Sequence, residues 1–183
     1  TVIVEGKDVI QTKEYLSEID STYALAIILS AQSMLNLGQN EEALSYIEKC
    51  ESIAKLKFPR WTNLWQMIYS NKVKSLDALN ENEQLYNALC QQIDFIVNNE
   101  IYLKNNDNES VGLCTKDDIA FALHKLSQLD TQSGKISKAF EHLQRAKKEL
   151  DENERCAHWT KQSVLLALTD CYVDLINETY LAQ

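Results

Sequence analysis

A short phrase occurs twice in this chain, each time at the junction of two apolar helical stretches. The first copy runs Gly38-Gln39-Asn40-Glu41-Glu42-Ala43-Leu44-Ser45-Tyr46-Ile47-Glu48-Lys49-Cys50. The second runs Gly134-Lys135-Ile136-Ser137-Lys138-Ala139-Phe140-Glu141-His142-Leu143-Gln144-Arg145-Ala146. Both place a glycine, then an alanine, a branched aliphatic and a small residue at matching intervals. Glycine ends a helix because it takes the left-handed backbone that other residues resist. The residues that follow recur at three- and four-residue spacing, so they share one helical face. Each copy therefore marks a helix-turn-helix unit whose second helix packs a short-side-chain face on the first. Recurrence of such a unit predicts an array.

Composition agrees. Only one proline and four glycines punctuate 183 residues, of which 45% are hydrophobic. Sheet folds and irregular folds need more turn residues, so an all-helical chain with a sizeable core is expected. The net charge of -9 disfavours a phosphate backbone as ligand. The five cysteines, at 50, 90, 114, 156 and 171, are odd in number and lack C-x-x-C spacing. They read as reduced thiols of an intracellular protein, cytoplasmic or nuclear. No run of apolar residues is long enough for a membrane span, so no membrane partner is expected. The chain opens at Thr1 and ends at Gln183 still in helical periodicity, which reads as a piece of a longer protein.

Residues 1–183 read as one α-helical repeat domain. An N-terminal arm and helix occupy 1–20, the arm over 1–7 and the helix over 8–19, with Val9, Ile10, Tyr15, Leu16 and Ile19 inward. Helix pairs follow at 21–58, 59–104 and 115–152, with a loop at 105–114 and a terminal helix within 153–183. Asp20-Ser21-Thr22 supplies an N-cap signal for a helix over 22–37, which carries no charge and is expected to be covered on both sides. The remaining helices are expected over 40–57, 60–79, 83–104, 116–132, 136–151 and 156–181, with Pro59 in the first turn of the second of these. Val97 is placed inward with Leu85, Leu89, Ile93 and Ile96, and Thr115 with Asp118 forms a capping-box variant. The terminal helix, with Val164, Leu165, Leu168, Cys171, Tyr172, Leu175 and Ile176, has more apolar surface than one neighbour covers. It is a candidate for self-association or for packing on another part of the parent protein.

The two phrases resemble the second half of the tetratricopeptide repeat. On the first copy Ile27, Ser30, Ala31 and Met34 take the first-helix positions, and Ala43 and Ile47 the second-helix ones. On the second copy these are Leu123, Leu126, Ser127 and Asp130, then Ala139 and Leu143. Small Ala31 and Ser127 suit a close helix approach. Asp130 departs from the pattern, the closing proline is missing, and the pair at 60–104 lacks the glycine and the alanine of the phrase. The resemblance implies a degenerate α-solenoid of antiparallel helix-turn-helix pairs stacked in a right-handed tetratricopeptide-like superhelix. It also implies a non-catalytic scaffold that binds a peptide or partner subunit on a concave helical face. The carboxylate clamp by which some members hold chaperone C-termini is not matched, since helix 22–37 has neither Lys nor Arg.

Two surfaces are candidates for that binding. An acidic stretch through Glu14, Glu18, Asp20, Glu41, Glu42, Glu48 and Glu51 suits a basic partner, or is a solvated outer face. From Lys55 to Leu76 the chain has Lys55, Lys57, Arg60, Lys72 and Lys74 and no acid, with Trp61, Trp65 and Tyr69 at four-residue spacing. This combination can grip an acidic peptide or stack on single-stranded nucleic acid. It can equally be a helix with its tryptophans inside and its lysines reaching outward. Trp65, Tyr69, Lys72 and Lys125 are the candidate partner-binding residues. A regulatory helical domain of a larger enzyme is the alternative, and nucleic-acid binding through 55–74 a third. His124, His142 and His158 have no carboxylate or cysteine at ligand spacing on their own helix face. Four scattered glycines make no phosphate loop. No catalytic residue, metal or cofactor is expected.

Overall fold

The computed structural model describes the backbone of residues 6–104, 116–152 and 158–181, and the side chains of 20–99, 117–152 and 160–177. Seven helices occupy these residues: α1 (Gly6–Asn36), α2 (Asn40–Lys57), α3 (Thr62–Leu79), α4 (Asn82–Lys104), α5 (Lys116–Gln132), α6 (Ile136–Asp151) and α7 (His158–Leu181). No strand occurs among the described residues. Of the arm expected over 1–7, residues 6 and 7 are the start of α1 and 1–5 lie outside the described residues, as do the loop at 105–114, the Thr115 cap and the inward side chains assigned within 8–19.

The chain divides into two compact units, Thr1–Glu81 and Asn82–Gln183. The expected pair at 59–104 falls across this division: α3 belongs to the first unit and α4 opens the second. In the first unit α1, α2 and α3 each touch the other two. In the second, α5 is the central helix, packing on α4, α6 and α7, while α6 also packs on α7.

The first unit is closed by the residues of the first phrase. Ala43, Ile47, Cys50 and Ala54 are fully buried on α2, against Ala24, Ile28 and Ala31 of α1. Small side chains let the two backbones approach, and the Cys50 thiol reaches the Ala24 carbonyl at 3.4 Å. Burial pushes that thiol up to about 11. From α3, Leu64, Ile68 and Leu76 complete the core. The Ser75 hydroxyl donates to the Asn40 carbonyl at 2.7 Å, tying α3 to the start of α2. The second phrase does the same in the second unit. Ala139, Leu143 and Ala146 are buried, with Ala120, Leu123 and Leu126 of the adjoining α5.

Three helix ends use one device. Gly38 and Gly134 have φ of +76° and +70°, and Asn80 has φ of +58°. At each, the following N–H reaches back to a carbonyl five residues earlier: Gln39 to Met34 at 2.9 Å, Glu81 to Leu76 at 3.1 Å, Lys135 to Asp130 at 2.8 Å. This caps the orphan carbonyls of the helix end, and asparagine tolerates the left-handed backbone next best after glycine.

Four expectations are corrected. The helix does not start anew at Asp20-Ser21-Thr22, because α1 runs through it. No glycine or proline lies between residues 8 and 36, and the Asp20 carboxylate holds Lys57 of α2 at 2.5 Å instead of capping. Pro59 is not in a helical turn. It is the second residue of a β-turn, Phe58 to Trp61, closed by the Trp61 N–H on the Phe58 carbonyl at 3.1 Å, and α3 begins at Thr62. The uncharged helix over 22–37 is not covered on both sides, as Tyr23 and Leu29 are about half exposed. Its uncharged outer face includes Ser30 and Ser33, whose hydroxyls bond back to the Ala26 and Leu29 carbonyls. Such a face leaves no donor that cover must satisfy. Val97 points outward, because α4 buries the stripe of Leu85, Leu89, Ile93 and Ile96 beside it. Among the described side chains of α7, Val164 and Cys171 are the buried apolar ones, while Leu165, Leu166, Tyr172, Val173 and Ile176 are exposed.

Candidate partner-binding face and a polar cleft

The basic and aromatic stretch lies on the end of α2, the turn and α3. Trp65 is nearly buried, and its indole N–H donates to the Phe58 carbonyl at 3.1 Å. Its ring lies 5.7 Å from that of half-buried Tyr69. Trp61 stands edge-on to Phe58 at 5.4 Å. An indole with its N–H satisfied internally is a packing residue with one face available to its neighbour. Trp65 thus supports Tyr69, and Tyr69 is the more accessible of the two.

Three of the five bases of the stretch are engaged by carboxylates of the same unit. Lys72 and Lys55 each donate to Glu51 at 2.7 Å, one to each carboxylate oxygen, and Lys57 pairs with Asp20. Glu51 is the buried member of the acidic stretch. Burial pushes its carboxyl up, but the hydrogen bonds and charges of Lys55 and Lys72 outweigh that and hold it below the usual carboxylate range. Lys72 therefore staples α3 to α2 while part of its ammonium faces solvent. Lys125, the fourth candidate, is half-buried on α5 in the other unit. Beside it, burial and then the Lys125 charge lower His124, which keeps that ring neutral.

The second unit holds a site that sequence spacing did not bring together. Asp130, the residue that departs from the repeat pattern, is 1% exposed. Its Oδ2 lies 3.4 Å from the Tyr86 hydroxyl of α4 and 3.3 Å from Nε2 of His142 on α6. The Tyr86 oxygen and the His142 nitrogen are 3.3 Å apart. With the proton of a neutral imidazole on Nε2, both the phenol and the ring donate to the carboxylate, and no lone pairs face each other. Burial lowers His142 most, and Lys138 and Arg145 add to that, while Asp130 and Glu141 oppose it. Lys138 sits over the Tyr86 ring with its ammonium 4.8 Å from the centroid.

This triangle borders a cleft of about 410 Å³. Asn82, Glu83, Tyr86 and Asn87 face it from the first turns of α4. Leu129, Asp130 and Ser133 close it from the end of α5, and Lys135 and Lys138 from the start of α6. The spacings that build it, 44 residues from Tyr86 to Asp130 and 56 to His142, exceed any helical period, and the one available signal was a charge at a core position. Among the described residues no group of three His, Cys, Asp or Glu side chains is arranged to hold a metal ion. No described helix is long and apolar enough to cross a membrane.

The crystal structure of a TPR-like protein from Chlorobium tepidum TLS is similar to this chain, with a TM-score of 0.59. The match covers 87% of this chain and 98% of that one. The fold is tetratricopeptide-like. At 12% identity the likeness is one of fold. No protein-family model and no curated protein matches the chain.

Proposed function

We propose that this chain is a non-catalytic protein-interaction scaffold that holds a peptide or partner subunit on a helical face. The observation that carries the reading is the tetratricopeptide-like fold, since stacked helix pairs present extended side-chain surfaces and no chemistry of their own. On α3, Tyr69 offers a half-exposed ring backed by Trp65. Lys72 beside it is held in place by Glu51 and retains further donors. Lys125 offers a second cation on α5. The exposed apolar side of α7 supports the same reading, as a place for a further subunit or a second copy. The described cysteines, Cys50, Cys90 and Cys171, are free thiols, which suits an intracellular protein.

Photo-crosslinking tests the face. A photoreactive residue replaces Tyr69 in one sample and Leu56, which is 84% exposed on α2, in another. The expected result is a discrete crosslinked polypeptide at position 69 and none at 56. Equal products at both positions, or none at either, would remove α3 as the binding face.

A further inference from the structure

The cleft of the second unit has a floor that is tied together and a rim that is not. Tyr86, Asp130 and Lys138 form the floor, Lys138 on the Tyr86 ring and Tyr86 on Asp130, with His142 behind them against Tyr86 and Asp130. At the rim Asn82, Glu83, Asn87 and Lys135 make no side-chain hydrogen bond or ion pair. The floor also has an unusual charge balance. Asp130 stands two residues from the end of α5, where the helix dipole is negative and an acid is disfavoured. Its two donors are a phenol and an imidazole that burial holds neutral. Among the described residues no Lys or Arg nitrogen is within 4 Å of it, in contrast to Glu51, which has two. A buried carboxylate of this kind is served by a cation that can reach it from the cleft.

The structure already contains a stand-in. Lys138 rises from the first turn of α6 and lays its ammonium on the Tyr86 ring, and the phenol of that ring faces Asp130. Lys138 is an exposed residue, so it can swing away with the loss of its Tyr86 contact and of no core contact. We propose that the cleft is a recognition site for an arginine side chain of a partner polypeptide, and that Lys138 occupies it until the partner arrives. A guanidinium fits better than the lysine it replaces. Its plane stacks on the Tyr86 ring while its fork reaches the Asp130 carboxylate, and Glu83 at the mouth pairs with its outer edge. Asn82 and Asn87 then meet the partner backbone. The net charge of -9 steers a basic segment toward the chain. The proposal rests on the scaffold reading in one respect, that the ligand is a polypeptide, and it places that ligand on the second unit and not on α3.

The test is a titration of the full 15N-labelled chain, followed by NMR, with three capped tripeptides: Gly-Arg-Gly, Gly-citrulline-Gly and Gly-Glu-Gly. Citrulline keeps the shape of arginine and removes its charge. The arginine peptide should give saturable shifts at the amides of Tyr86, Asp130 and Lys138. The citrulline peptide should bind roughly tenfold more weakly, the loss expected for a desolvated charge contact. Lys138→Ala should tighten arginine binding about threefold or more by vacating the ring, and Asp130→Asn should weaken it about tenfold. Glu83→Gln, at an exposed position, should weaken it less, and keeps the test decisive if Asp130→Asn does not fold. Weaker or unchanged binding in Lys138→Ala would overturn the proposal. So would equal binding of citrulline, tighter binding of the glutamate peptide, or no saturable shift in either the natural chain or Lys138→Ala. These outcomes are independent of crosslinking at position 69, so failure here leaves the α3 reading standing.

Discussion

Among the described residues each unit buries one carboxylate between helices, and the two are satisfied in opposite ways. Glu51 in the first unit receives two lysine ammoniums, Lys55 from its own helix and Lys72 from α3. Asp130 in the second receives a phenol and a neutral imidazole from α4 and α6. The first arrangement cancels charge, and with the Ser75 hydroxyl on the Asn40 carbonyl it ties α3 onto α2. The second satisfies hydrogen bonds with neutral groups and leaves the carboxylate without a lysine or arginine in direct contact, Lys138 acting on it only from over the Tyr86 ring. A carboxylate paired directly with two ammoniums serves stability, whereas one held by neutral donors at the edge of a cleft remains available to a ligand.

The largest expected effect comes from inverting the pair in the first unit. Lys72→Glu sets a second carboxylate against Glu51 and should cost about 2–3 kcal/mol of stability, the range for breaking a largely buried ion pair that retains one partner. Urea unfolding measures it. The double change Glu51→Gln with Lys72→Met removes both charges and should recover most of the loss. A double variant no more stable than Lys72→Glu would mean that the ion pair itself, and not the stranded charge, matters.

Acid should separate the two units next. His142 is lowered in the folded chain, chiefly by burial, so the unfolded chain takes up the proton first. Stability from this residue is complete above the ordinary histidine value near 6.5 and is lost as pH falls below it. Glu51 is also held low, so its contribution is present above the ordinary carboxylate range and is lost as pH falls toward its folded value. Amide exchange should therefore loosen α4–α6 as pH falls below about 6.5, before α2 and α3 respond. Simultaneous loosening of both units would show that the two carboxylates are not distinct in the way argued.

The smallest effects concern the three left-handed helix ends. Gly38→Ala and Gly134→Ala meet no atom within 4 Å, so backbone strain alone should cost about 1–2 kcal/mol each. Asn80→Gly should be neutral or slightly stabilising, and Asn80→Ala should cost about as much as the glycine changes. Thermal melts of the four variants would show whether the Asn80 turn is equivalent to the glycine turns.

What the sequence revealed and what it hid divide along the same line. Helices α2, α4, α5 and α6 lie within a residue of where periodicity and the glycine phrase put them, because those signals are local. Ala31, Ser127, Ala139 and Leu143 are buried as their repeat positions imply. The continuous α1 was hidden because a capping signature is a preference that a helix without glycine or proline overrides. The Asp130 triangle was hidden because its three members come from three helices, and only the register of packing brings them together. Asp130 was visible as a misfit in the repeat, and that misfit now has a physical account. Trp65 was open to two readings in the sequence, a contact residue or an interior one, because helical spacing puts it beside both Tyr69 and the pair Leu64 and Ile68, and it lies buried against Tyr69.

The most direct measurement is the NMR titration of the His142 ring in the natural chain and in Asp130→Asn. The account expects a value below the ordinary 6.5 in the natural chain, and a lower one in the variant, because the carboxylate is the group that favours the protonated ring against burial. An unchanged or raised value in Asp130→Asn would contradict it, and would mean that Asp130 does not face His142 as a charge.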